Sequence, residues 1–147
     1  MHLRRIGRSA HLGSERQLIN KGLKLGALNR SGEAIEVYDE VVRRFGDYPE
    51  PALREPLAMA LVNKGTALGG LLRSDEEIAA YDEVVARCSD ATEPALREQV
   101  VKALVNKMRA LSDARRAEEA SAVRESLVRR FGAASEPSMP TSSAGPR

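Results

Sequence analysis

The sequence predicts an all-α fold, an α-solenoid of three stacked antiparallel helix pairs. Three observations predict it. Asn20-Lys21-Gly22, Asn63-Lys64-Gly65 and Asn106-Lys107-Met108 follow one another at a spacing of 43 residues. The same offset relates Tyr38-Asp39-Glu40 to Tyr81-Asp82-Glu83, and Glu50-Pro51-Ala52-Leu53-Arg54-Glu55 to Glu93-Pro94-Ala95-Leu96-Arg97-Glu98. A fixed period in this range signals stacked supersecondary units. The second observation is composition: 3% aromatic and 30% charged residues suit helices packed through aliphatic side chains. The third is apolar residues recurring at helical spacing between turn signals.

Residues 1–13 lie outside the repeat and form a basic arm, with Arg4, Arg5 and Arg8, expected to fray. Repeat one covers residues 14–56. Ser14 to Gln17 has the spacing of a capping box, so its first helix should start near Glu15. Leu18, Gly22 and Leu25 share the core face, and Asn29 suits the left-handed closing position. The second helix should run over residues 32–45 and bury Ile35, Tyr38, Val41, Val42 and Phe45, with Gly46 able to close it. Pro51 fits a first helical turn. Pro56 would cost a running helix about 3 kcal/mol, which predicts a kink or a restarted helix.

Repeat two covers residues 57–99. Leu61, Gly65, Leu68 and Leu72 are its first core face; Ser74 to Glu77 reads as a second capping box. Ile78, Tyr81, Val84, Val85 and Cys88 are its second core face. Cys88 stands where the flanking copies have Phe45 and Phe131 and reads as a small buried apolar group. The helix from Pro94 should run unbroken to about Arg115, because Gln99 replaces Pro56. Repeat three covers residues 100–132 and is degenerate: Met108, Ala114, Ser121 and Arg124 replace glycine, leucine, isoleucine and tyrosine. Terminal repeats need a polar outer face, which these changes suit. Residues 133–147, rich in Pro, Ser, Gly and Ala, are expected to be a disordered tail.

These segments resemble tetratricopeptide repeats. The large apolar residues Leu18, Leu61 and Leu104, the small Gly22 and Gly65, the following Leu25 and Leu68, and the Ala34–Tyr38 pair match the family pattern. The resemblance covers residues 14–132. The departures are Lys21, Lys64 and Lys107 in place of leucine, Glu77 in place of a small residue, Met108 in place of glycine, and Gly46, Ser89 and Gly132 in place of the closing proline. The period exceeds the usual ~34 residues by about nine, which should lengthen the first helix of each pair.

The resemblance implies a concave groove lined by the first helices, used to bind a peptide segment of a partner protein. On the face opposite the core stand Arg16, Asn20, Leu23 and Ala27, then Met59, Asn63, Thr66 and Gly70, then Lys102, Asn106, Arg109 and Asp113. The candidate binding residues are Arg16, Asn20, Asn63, Thr66, Lys102, Asn106 and Arg109. A row of side-chain amides can donate to and accept from a peptide main chain without reading its sequence. Arg16, Lys102 and Arg109 favour an acidic peptide, and the resemblance further implies a clamp for a C-terminal carboxylate at Arg16, Asn20, Asn63, Lys102 and Asn106. Against that clamp, Arg16 and Asn106 depart from the lysine and arginine it uses.

The remaining classes find no support. A net charge of +2, from 23 basic and 21 acidic residues, is too balanced for nucleic acid or an anionic membrane. No apolar run reaches the roughly 18 residues that span a bilayer. His2 and His11 have no metal-ligand spacing and a lone Cys88 builds no metal cage; no phosphate-binding loop or catalytic constellation is present, so neither enzyme nor cofactor is expected. The Asp39-Glu40 and Asp82-Glu83 pairs read as a solvated face. A non-catalytic cytoplasmic scaffold is the leading expectation. The alternative is a structural repeat fragment, stacking on further repeats as a homo-oligomer or within a larger protein.

Overall fold

The computed structural model describes residues 13–135, and among them every regular element is helical. These are α1 (Ser14–Ala27), α2 (Ser31–Phe45), α3 (Arg54–Gly70), α4 (Ser74–Cys88), α5 (Pro94–Asp113) and α6 (Ala117–Ser135), with a 3-10 turn at Pro51–Leu53 leading into α3. Each helix packs on the next, and α1 also packs on α3 and α3 on α5. Gly65 lies against Tyr81 and Gly69 against Glu77, so α3 and α4 run antiparallel.

The turns inside the pairs share one chemistry. Asn29, Leu72 and Arg115 have φ of 64°, 60° and 62°, and the next amides, of Arg30, Arg73 and Arg116, donate to the carbonyls of Leu25, Leu68 and Leu111 at 2.8, 3.0 and 2.8 Å. This left-handed closure satisfies carbonyls that the helix end leaves unpaired. The expectation for Asn29 holds. That for Leu72 does not: its left-handed position lies beyond α3, and the side chain is 87% exposed.

Neither expected capping box forms. Ser14 and Ser74 are first helical residues, after Gly13 and Arg73, and no side chain caps either end. The Gly13 amide instead donates to the Glu15 carboxylate at 2.8 Å. Arg73 pairs bidentately with Glu76 at 2.6 and 2.8 Å. Arg30–Glu33 and Arg116–Glu119 repeat that fork at the starts of α2 and α6. A carboxylate in the first turn also suits the positive end of the helix dipole.

Pro56 is explained by the restart. The 3-10 turn ends at Leu53 and α3 begins at Arg54, so Pro56 sits where a helical amide has no intrahelical acceptor in any case. The helix from Pro94 is unbroken to Asp113. Gly46 follows α2 with an ordinary helical φ of −64°, not a left-handed one.

The core of the first pair centres on Ile19 (2% exposed), not on Leu18, which is half-buried. Val42 and Val85 are half-buried: Val42 packs against the core of its own pair and also against the following core, and Val85 against the joint core of the second and third pairs. Tyr38 and Tyr81 lie over Gly22 and Gly65, where added Cβ atoms would stand 2.7 Å from the ring Cζ carbons. The third pair changes both partners together, to Met108 and Arg124. Cys88 is buried, as its position predicted.

The acidic pairs are not simply solvated. Asp39 meets Lys64 at 2.7 Å and Asp82 meets Lys107 at 2.6 Å, tying each pair to the next. Lys64 and Lys107, two of the three lysines that stand where the resemblance expects leucine, are therefore junction residues. The same junctions are crossed by Arg87 donating to the Gly46 carbonyl at 3.1 Å and Arg130 to the Ser89 carbonyl at 3.3 Å. At the N-terminal side, polar Ser14 and Gln17 stand where α3 and α5 bury Leu57 with Ala60 and Val100 with Ala103. At the C-terminal side Val128, the counterpart of Val42 and Val85, is 58% exposed. The expected tail is shortened, because α6 continues to Ser135. Residues 1–12 of the arm and 136–147 of the tail lie outside the described residues.

Candidate functional site

α1 packs on α3 and α3 on α5, and the predicted site residues lie along these three helices. Asn20 is exposed; Asn63 and Asn106 are half-buried. Thr66 and Arg109 are exposed one helical turn on, and Arg16 and Lys102 are exposed one turn before. Among the predicted site residues, Asn63 and Thr66 meet α1 at Leu23, Gly26 and Ala27.

Several of them already have partners. The Asn106 side-chain oxygen accepts from Arg109 Nη1 at 3.2 Å. The Thr66 hydroxyl donates to the Val62 carbonyl at 3.2 Å. Lys102 lies 3.9 Å from Glu98, both well exposed, a pair worth little in water.

The surface has two depressions that the sequence did not reveal. One, of ≈ 290 Å³, lies between α1 and α3 over α2; Leu23, Gly26, Ala34, Tyr38, Asn63 and Thr66 are among its walls. The other, of ≈ 520 Å³, lies between α5 and α6, with Met108, Arg109, Ser112, Ala120 and Arg124 among its walls. They are the same place in the first and third repeats: Leu23 corresponds to Arg109, Gly26 to Ser112, Ala34 to Ala120 and Tyr38 to Arg124.

In the second repeat that place is filled by Glu77, which replaces Ala34 and Ala120. Its carboxylate lies over Gly69, where an added Cβ would stand 2.7–2.9 Å from the carboxylate atoms. The Tyr81 hydroxyl donates to it at 3.0 Å. Burial chiefly raises the Glu77 carboxyl above its ordinary value; Asp113 adds to this, while the Tyr81 hydrogen bond and Arg109 oppose it. Burial also raises the Tyr81 phenol.

Glu77 is the functional candidate that sequence reasoning missed. It stood out only as a departure from the small-residue position of the second helix. The companion signal was Gly69, the glycine that makes room for it. Its carboxylate is a second acid beside Asp113, so the α5 end of the face is not uniformly basic.

Other chemistry is sparse. Among the described residues no group of three His, Cys, Asp or Glu side chains could hold a metal ion, and no described helix is long and apolar enough to cross a membrane. Burial raises the Cys88 thiol, partly opposed by Arg54 and Arg87, which makes it a poor nucleophile at neutral pH. No protein-family model, curated protein or solved structure matches the chain.

Proposed function

We propose that this protein is a non-catalytic interaction scaffold, a solenoid of three tetratricopeptide-like repeats that holds an extended peptide segment of a partner across α1, α3 and α5. One observation supports the reading: asparagines recur every 43 residues on three helices that pack in succession, with one depression lined by Asn63 and Thr66 and another by Arg109. Amide side chains at that spacing supply both donors and acceptors to a main chain. The alternating charges of the face, with Glu98 near Lys102 and Glu77 and Asp113 around Arg109, leave Arg16 as the cation most able to favour an acidic residue. A carboxylate clamp would draw on Arg16, Asn20 and Asn63 more than on Asn106, whose oxygen already accepts from Arg109.

The test is selection from a random 12-residue peptide library displayed on phage, panned on the full chain. Peptides should enrich on the wild type, and a selected peptide should weaken when Asn20, Asn63 and Asn106 all become alanine. Failure to enrich any peptide, or equal affinity for the triple variant, contradicts the reading.

A second reading rests on Val128. Its counterparts Val42 and Val85 pack into the following core, whereas Val128 is 58% exposed on α6. This supports a further element, or a second copy, covering α6. Solution mass tests the self-association form: a dimer that Val128→Glu dissociates supports it, and a monomer refutes it.

A further inference from the structure

We infer that the peptide carries two large apolar side chains five or six residues apart, with a lysine or arginine midway between them. The inference rests on the peptide groove proposed above and names the ligand chemistry it would recognise.

The depressions of the first and third repeats are one structural position, two repeat steps apart. Packed helices are separated by roughly 8–10 Å, so two steps span roughly 16–20 Å. An extended chain rises about 3.3 Å per residue, which places the two anchors about five or six residues apart. The first depression has apolar walls in Leu23, Ala34 and the Tyr38 ring; the third offers Met108, Ala117 and Ala120 as an apolar floor between the polar Arg109, Ser112, Ser121 and Arg124. Each is large enough for a side chain of leucine size.

The middle copy of the same position holds a carboxylate. Glu77 fills it, held by the Tyr81 hydroxyl at 3.0 Å. The charged groups acting on it are Asp113 and Arg109 of α5. Around that point there are two carboxylates and one guanidinium, so a ligand cation is favoured and a ligand anion opposed. The ordered pattern, apolar dent, acid, apolar dent, follows from one substitution: alanine at positions 34 and 120 and glutamate at 77. Gly69 accommodates that glutamate.

The peptides enriched on the full chain supply the test. Their aligned sequences should show the apolar pair at the stated spacing with a basic residue between. One such peptide, measured by titration calorimetry, should bind Glu77→Ala about ten-fold more weakly, the loss expected for a charged hydrogen-bonded contact. Changing its basic residue to alanine should cost the wild type the same factor and cost Glu77→Ala little. Glu77→Ala reproduces the alanine of the other two repeats; Glu77→Gln, which keeps the acceptor for Tyr81, is the second variant if alanine loosens the fold. Gly26→Leu should fill the first depression and weaken binding through one apolar anchor, since a Cβ there meets nothing within 4 Å. Enriched peptides without a basic residue, or equal affinity for the wild type, Glu77→Ala and Glu77→Gln, would overturn the inference and leave the groove standing. Absence of any enriched peptide would overturn the groove itself.

Discussion

Replacing Gly65 probes a tight approach of α3 to the Tyr81 ring. An added Cβ would stand 2.7 and 2.9 Å from Tyr81 Cζ and Cδ1, and nearer still to Cε1. Carbon pairs prefer about 3.5–4.0 Å, so the ring would have to retreat by roughly 1 Å. It has little room: Tyr81 is 1% exposed and its hydroxyl is tied to Glu77 at 3.0 Å. Overpacking costs about 1–3 kcal/mol, while leaving glycine returns up to about 1 kcal/mol of helix propensity. Gly65→Ala should therefore destabilise by about 1 kcal/mol and Gly65→Leu by about 2–3 kcal/mol. Gly26→Ala is the control. It has open space around it, so it should stabilise by about 0.5–1 kcal/mol. The natural swap of the third repeat supplies a double-mutant cycle: Gly65→Met with Tyr81→Arg should destabilise less than the two single changes summed. Urea midpoints read all six variants. An unchanged midpoint for Gly65→Leu, or equal gains from Gly65→Ala and Gly26→Ala, would refute close packing as the reason for this glycine.

Three further outcomes follow from the same geometry. Asp39→Asn and Lys64→Ala should couple by about 0.5 kcal/mol in urea melts, the value of a half-exposed ion pair, and the coupling should shrink at high salt; zero coupling at low salt would remove Lys64 as a junction residue. Glu77 has a folded-state pKa above its ordinary 4.5, so its contribution is fully present below that value and lost as pH rises through the raised one. Stability of the wild type relative to Glu77→Gln should fall over that window, with Tyr81, Asp113 and Arg109 the groups acting on the carboxyl; a flat difference contradicts its burial. Arg73→Ala should leave the urea midpoint almost unchanged, because its fork with Glu76 is exposed, and a clear drop would mean the Arg–Glu forks act as true caps.

The helices were legible because one period repeats their turn chemistry. Asn29 and the helix restart just before Pro56 could be read directly, since a left-handed residue and a missing amide are local constraints. What eluded the sequence depends on which helices meet. Asp39 and Lys64 look solvated until α2 and α3 are laid together, and the serines of the capping boxes lose to the Gly13–Glu15 bond at α1 and the Arg73–Glu76 fork at α4, which local spacing does not distinguish. Ile19 displaced Leu18 because α1 is rotated to meet α3 as well as α2. The asparagines' placement on three packed helices was legible from their spacing of 43 residues. Glu77 was not, because its place on that surface requires the glycine at 69 on another helix.

The central claim is that a ligand lies across α1, α3 and α5. Amide chemical-shift mapping with a phage-selected peptide tests it most directly. The account predicts shifts concentrated at residues 16–27, 59–70 and 102–113, together with Glu77. Shifts confined to the exposed faces of α2, α4 and α6 would contradict it.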